Sequence, residues 1–169
     1  LHTNDSISTV NRLVDMGIPG YMVATALNAV VAQRLVRRVC ENCATPYEPS
    51  AGEQTWMKAM NGGKAATSPR FRHGTGCQYC NNTGYRGRIG LYELLELDGT
   101  LAEHLRRQDY TAFERAPASQ WGFRPLAQSG LDFVVQGVTT IGEVIRVTDS
   151  LEDLPSYVPT PASPAPAPG

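Results

Sequence analysis

The sequence predicts a small α/β chain with a four-cysteine module, and three patterns carry that prediction. Helical apolar spacing recurs at both ends of the chain, an alternating apolar run near residue 90 reads as a strand, and all four cysteines fall into two C-x-x-C pairs. With 169 residues there is room for one domain, or one plus a small module, at roughly 100–200 residues per domain. A charged fraction of only 18% with scattered apolar runs argues against a disordered protein. No apolar stretch reaches the ~18 uncharged residues of a membrane span, so a soluble or peripheral chain is expected. Nothing resembles a secretory leader, and Leu1 in place of Met suggests a piece of a longer protein.

The formal charge of -1 hides an asymmetry. Residues 1–92 carry ten Lys/Arg against five Asp/Glu, and residues 93–169 carry five against eleven. The basic part suits acidic partners or phosphates, while the acidic part argues against a dedicated nucleic-acid binder.

Taken in order, Asn4-Asp5-Ser6 offers capping side chains ahead of Ile7, Val10, Leu13 and Val14, which share one helical face, and Gly17 ends that helix. Pro19-Gly20 makes a turn. The run from Tyr21 to Gln33 is apolar around most of a helical circumference and predicts a helix buried on several sides. Residues 34–39 either continue it or form a short strand, since periodicity does not decide. Prolines and glycines punctuate 45–76, leaving one short helix candidate at Glu53–Met60. A strand is expected from Arg88 to about Leu95, then helices near 99–107, 124–136 and 140–147. In the middle one Leu126, Leu131, Val134 and Val135 are the apolar positions and Gly137 the stop; Ile141, Val144 and Ile145 pattern the last. Residues 155–169 hold six prolines interleaved with Ala, a composition that favours an extended, disordered tail over 149–169.

The cysteine pairs are Cys40-Glu-Asn-Cys43 and Cys77-Gln-Tyr-Cys80, with 33 residues between them. Each turn brings two thiolates within the roughly 2.3 Å bond length of one zinc ion, and two turns complete a tetrahedral site. The intervening loop is poor in apolar residues, so metal binding supplies the organisation a core does not. Gly76 and Gly84 relieve the backbone around the sulfurs. Disulfides need an oxidising compartment, and a redox C-x-x-C ordinarily stands alone, so structural zinc is the expectation. A closed four-thiolate shell leaves no open position for catalysis. Of the three histidines, His73 precedes a coordination shell already complete, and His104 lies in a polar, solvated helix. His2 stands beside a helix start, where free amides and the helix dipole favour an anion, though locally it reads as a simple loop residue.

Three blocks raise His2: Leu1-His2-Thr3-Asn4-Asp5, then Arg12-Leu13-Val14-Asp15-Met16-Gly17, then Ala32-Gln33-Arg34-Leu35-Val36-Arg37-Arg38-Val39-Cys40. Together with Gly84-Tyr85-Arg86-Gly87-Arg88-Ile89-Gly90-Leu91-Tyr92-Glu93-Leu94-Leu95 and the stretch from Gly130 to Thr148, they resemble the secretion ATPases of the type II secretion and type IV pilus assembly family (GspE/PilB). Residues 7–9 and 20–25 look closest to its MSHA-type pilus subgroup. The resemblance implies the C-terminal part of a RecA-like P-loop ATPase domain, with an inserted tetracysteine zinc subdomain and a helical C-terminal bundle. It divides the chain into ATPase core (1–39), zinc subdomain and following strand (40–95), helical region (96–148) and tail (149–169).

By the same resemblance His2 is the His-box histidine that contacts the nucleotide's terminal phosphate, and Cys40, Cys43, Cys77 and Cys80 are the zinc ligands. The tetracysteine motif favours the secretion or pilus-extension branch over the retraction ATPases. It implies a homo-hexamer that powers pilin or pseudopilin assembly from the cytoplasmic side of a bacterial inner membrane. There the zinc region meets an inner-membrane platform protein, membrane association runs through partners, and Arg34, Arg37 and Arg38 are candidates for contact. No G-x-x-x-x-G-K-[ST] loop occurs in these residues, so ATP and Mg2+ belong to the full-length parent and this fragment is expected to be inactive alone. The alternative is a freestanding zinc-ribbon module binding nucleic acid or protein, with Arg70, Arg72, Arg86 and Arg88 on phosphates and Phe71 and Tyr79 for stacking.

Overall fold

A computed structural model of the chain describes residues 3–60 and 69–148. His2 and the Pro/Ala-rich tail lie outside the described residues. The organising element is a long antiparallel ribbon of β1 (Ala29–Val39) and β4 (Tyr85–Glu96), paired from Ala29↔Glu96 to Arg37↔Arg88. The register shifts between Arg37 and Val39, which lies opposite Tyr85. Val39 and Tyr85 therefore stand opposite each other at one end of the ribbon, where the chain leaves β1 and re-enters β4.

Helix α1 (Ser6–Asp15) starts where expected: the Asp5 carboxylate accepts from the Ser8 N–H at 2.7 Å, and Gly17, at φ 88°, follows its last turn. The helix expected from Tyr21 to Gln33 is corrected. Only α2 (Gly20–Ala26) is helical, Leu27 is already extended, and β1 begins at Ala29. Nor is α2 buried on several sides, for Tyr21 and Met22 are exposed. The reason is tertiary. From Val30 onward alternate residues face inward, and the β4 ladder satisfies a backbone that a helix would have satisfied internally.

Helix α3 (Ala51–Met60) begins two residues before its expected start, where the Ser50 N–H donates to Glu53 at 2.8 Å and the Ser50 hydroxyl accepts from the Glu53 N–H at 3.3 Å. Short strands β2 (Ala44–Pro46) and β3 (Arg72–Gly74) pair antiparallel beside the cysteines. After β4 come α4 (Gly99–Arg106), α5 (Tyr110–Arg115), α6 (Leu126–Val135) and α7 (Ile141–Thr148). Helix α5, capped by Asp109 on the Ala112 N–H, is an addition to the sequence reading.

Two apolar cores lie along the inner face of β4. Leu91 joins Val36, Trp56, Leu126, Leu131, Val134, Ile141 and Val144 in one, and Leu95 joins Val10, Val23, Leu101, Leu105 and Phe113 in the other. Each such aliphatic side chain contributes about 1.5–3 kcal/mol by leaving water. The loop between the cysteine pairs is not devoid of core as its composition suggested: Trp56 is buried, and Tyr47, Met57, Met60 and Phe71 pack around it. Between Leu91 and Leu95, on the same inward face, stands Glu93.

Candidate metal centre

The four sulfurs meet at the end of the ribbon. Cys40 follows β1 directly, Cys43 precedes β2, and Cys77 caps a single 3-10 turn that Cys80 ends. The Sγ atoms of Cys40 and Cys77 are 4.0 Å apart, those of Cys43 and Cys80 3.9 Å, and those of Cys77 and Cys80 3.7 Å. All four lie within 4.8 Å of one another. These spacings are far too long for disulfides, and close to the about 3.8 Å edge of a tetrahedron with metal–sulfur bonds of roughly 2.3 Å. The donor set therefore fits a metal ion.

The backbone explains how the chain reaches this arrangement. Asn81 and Asn82 take the left-handed conformation at φ 53° and 58°, which asparagine tolerates, and curl the chain back after Cys80. Gly74 and Gly84 face each other so closely that a Cβ on either would overlap the other's carbonyl, and Gly84 also needs φ 76°. The Cys40 N–H donates to the Gly84 carbonyl at 2.9 Å, tying the first knuckle to the second.

The sulfurs sit in an environment that favours thiolate on one side. Burial opposes charge at Cys80, yet the N–H groups of Cys77 and Gly84, each 3.3 Å from its sulfur, outweigh it and bring the thiol down to about 6. Cys77 is also lowered; burial again opposes the charge, but N–H donors from the Cys80 backbone and the Asn42 side chain prevail. At Cys43 burial dominates and pushes the thiol up to about 11. A cation closes that gap by stabilising every thiolate at once.

His73 is not among the four clustered residues, which are the cysteines expected to fill the coordination shell by themselves. It lies on β3 with its ring edge-on to Tyr47, centroids 5.5 Å apart. His104 is in α4, half-buried and not fully solvated. Of the two aromatics that a nucleic-acid module would use for stacking, Phe71 is withdrawn into the protein and Tyr79 stays exposed. Phe71 packs on the core, Arg72 pairs with Glu41 at 3.0 Å, and the Tyr79 ring is covered by the Arg86 guanidinium at 3.7 Å.

Two of the three arginines expected to face a partner are engaged within the chain. Arg37 pairs with Glu143 at 2.5 Å and lies 4.2 Å over the Tyr85 ring, while Arg34 donates to the Thr3 carbonyl at 2.6 Å. Arg38 is exposed.

Two buried carboxylates escaped the sequence reading. Glu143, only 3% exposed, accepts from the Arg37 N–H and side chain and from Arg146. Burial opposes its charge, but these donors prevail and hold the carboxyl at about 2. Glu93, 4% exposed, accepts from the Ser6 N–H at 2.9 Å, the Ser6 hydroxyl, and the Leu126 N–H at 3.1 Å. It thereby satisfies donors at the first turns of both α1 and α6. Its signal was present: in Leu91-x-Glu93-x-Leu95 the strand period places a carboxylate on the buried face.

Residues 1–146 match the Type II/IV secretion system protein family. The chain is 41% identical over 152 residues to the "Type II secretion system protein E" of Dickeya dadantii, covering 88% of this chain and 28% of that protein. It is 35% identical over 147 residues to the "Type IV pilus assembly ATPase TfpB" of Acinetobacter baylyi, covering 87% of this chain and 25% of that one. The chain thus spans about a quarter of these relatives' length. Among solved structures, the pilus retraction motor PilT with bound ADP superposes with a TM-score of 0.53 over 91% of this chain and 32% of its own; at 16% identity it shows a shared fold. Among the described residues no helix is long and apolar enough to cross a membrane.

Proposed function

The chain belongs to the Type II/IV secretion system protein family, and from that premise we propose that it is the C-terminal portion of a hexameric ATP-hydrolysing motor. The motor powers pilin or pseudopilin assembly, in type IV pilus biogenesis or type II secretion. The observation that carries this reading is the pairing of high coverage of this chain with coverage of only 25–28% of relatives named as secretion or pilus-assembly proteins. In that motor His2 senses the nucleotide's terminal phosphate, and the P-loop and Mg2+ site belong to the remainder of the parent. The motor works in the cytoplasm against an inner-membrane platform protein.

Cys40, Cys43, Cys77 and Cys80 hold one structural zinc in this reading, supported by the fit of their sulfur spacings to a tetrahedron. The zinc supplies cohesion to a knuckle pair with little apolar core. Four protein ligands leave no place for a reacting water, so the metal organises the partner-facing end of the ribbon.

Two measurements test the reading. The 169-residue chain is expected to hydrolyse ATP at background, while the parent containing it turns over and loses activity when His2 is replaced by Ala. Turnover by the isolated chain that disappears in His2→Ala overturns the division of labour. Metal analysis is expected to find about one zinc per chain, lost in Cys77→Ser.

A further inference from the structure

We propose that Arg34 and Glu93 are positioning residues for the segment that carries His2, an inference that rests on the reading of His2 as the phosphate sensor. Neither residue belongs to the metal centre, yet both reach from the ribbon to residues 3–6. The Arg34 guanidinium, on β1, donates to the Thr3 carbonyl at 2.6 Å and lies 3.5 Å from the Asn4 side-chain oxygen. The Glu93 carboxylate, on β4, takes both the N–H and the hydroxyl of Ser6. Thr3 is further tied to α1 through its hydroxyl, 2.6 Å from that of Thr9, and Asp5 caps the same helix.

Residues 3–6 are therefore held from two adjacent strands and from the helix they start. Thr3 is bonded directly to His2, so the Thr3 carbonyl is a fixed point one residue from the phosphate-sensing imidazole. A loop holding such a group would otherwise lose rotational entropy on each turnover and place the ring over a range of positions. Charge-assisted hydrogen bonds suit this task because they are short and directional. Arg34 is the informative member. Its contact is to a backbone carbonyl, so it fixes the segment's path without depending on the side chain at position 3. The same ribbon runs to Cys40 through β1, so the knuckle end and residues 3–6 are joined to one pair of strands.

The test uses the full-length parent ATPase with Arg34→Ala, Arg34→Lys, His2→Ala and the double variant His2→Ala/Arg34→Ala. Arg34→Ala is expected to lower kcat about tenfold while KM for ATP changes less than about twofold, since misplacement by ~1 Å costs up to ~100-fold in rate. Arg34→Lys, which keeps a cationic donor for the Thr3 carbonyl, is expected to recover most of the loss. The double variant is expected to turn over no more slowly than His2→Ala alone, because a positioning residue has nothing left to position. Thermal midpoint and metal content are followed in each variant. Losses that multiply in the double variant, or wild-type kcat in Arg34→Ala beside a defective His2→Ala, overturn the inference and leave the role of His2 standing. Full turnover in His2→Ala overturns the role of His2 and the inference with it. Amide exchange in the 169-residue chain gives an independent check: Arg34→Ala should speed exchange over residues 3–9 at least tenfold with α6 unchanged, and uniform protection would sink the idea.

Discussion

The two ends of the β1–β4 ribbon are held together by different physics. At the cysteine end, Cys40 to Pro46 and Arg72 to Gly84 form two short strands and two tight turns around four sulfurs. Along the rest of the ribbon, apolar side chains on one face of each strand fill two cores, and two carboxylates sit buried among them. The first region has little apolar area to remove from water and depends on what its thiolates bind. The second would fold on hydrophobic burial, but it has paired polar groups that are costly to orphan. The difference teaches where each region breaks: one fails when its ion leaves, the other when a partner is cut from a buried carboxylate.

Metal removal is the largest way to break that comparison. Chelation, or Cys77→Ser, is expected to unfold 40–46 and 72–84 while the helices around Leu95 and Phe113 keep their protection. A structural zinc supplies on the order of 10 kcal/mol of apparent binding free energy at neutral pH, more than these segments gain otherwise. Amide exchange resolved along the chain reads the result, and uniform loss of protection would show the two ends to be one cooperative unit. Acid should release the metal as well, since protons compete for all four thiolates.

Glu143→Ala comes next, with an expected loss of about 3 kcal/mol by denaturant unfolding, at the low end for a broken buried pair because Arg37 and Arg146 are half-exposed. The carboxyl is held at about 2 against an ordinary 4.5. Its contribution is therefore complete above about pH 5 and declines as pH falls from about 4.5 toward 2. Glu143→Gln should flatten that part of the stability profile. An unchanged slope would mean that other carboxylates carry the acid sensitivity.

These two sets of groups also differ in how far the sequence revealed them. The cysteine site was legible because its information is local: two residues separate the sulfurs of each pair, and turn residues flank them. The caps of α1 and the stops at Gly17 and Gly137 were legible for the same reason. Ala29 to Gln33 was not, because a run apolar at nearly every position fits both a buried helix and a strand, and β4 decided between them from 59 to 67 residues away. Glu143 finds Arg37 across 106 residues and Glu93 finds Ser6 across 87. Nothing near either carboxylate names its partner. Trp56 was hidden in a loop whose overall composition looked polar. His2 lies outside the described residues, so its role rests on family resemblance and on the experiments above.

Gly84→Ala probes the backbone at the cysteine end with the ligands left intact. An alanine there must hold φ 76° and push its Cβ against the Gly74 carbonyl, an expected cost of about 2 kcal/mol. The loss should appear as weaker metal affinity in competition with a chelator, because folding and binding are one equilibrium in this region. Weaker global stability with unchanged affinity would place Gly84 in the other region's economy.

Arg86→Ala carries the smallest expected effect. The guanidinium covers the Tyr79 ring at 3.7 Å, but Tyr79 is 65% exposed, so the pair sits in water on both open sides. A cation–π contact at such a site is worth about 0.5–1 kcal/mol. In a double-mutant cycle with Tyr79→Ala, the coupling should fall within that range in the metal-bound chain. With the metal removed it should vanish, because the two residues are brought together only when the second knuckle is closed. Coupling that persists without metal would mean that side-chain contacts alone hold the knuckle near its final shape, and that the ion completes a fold already formed.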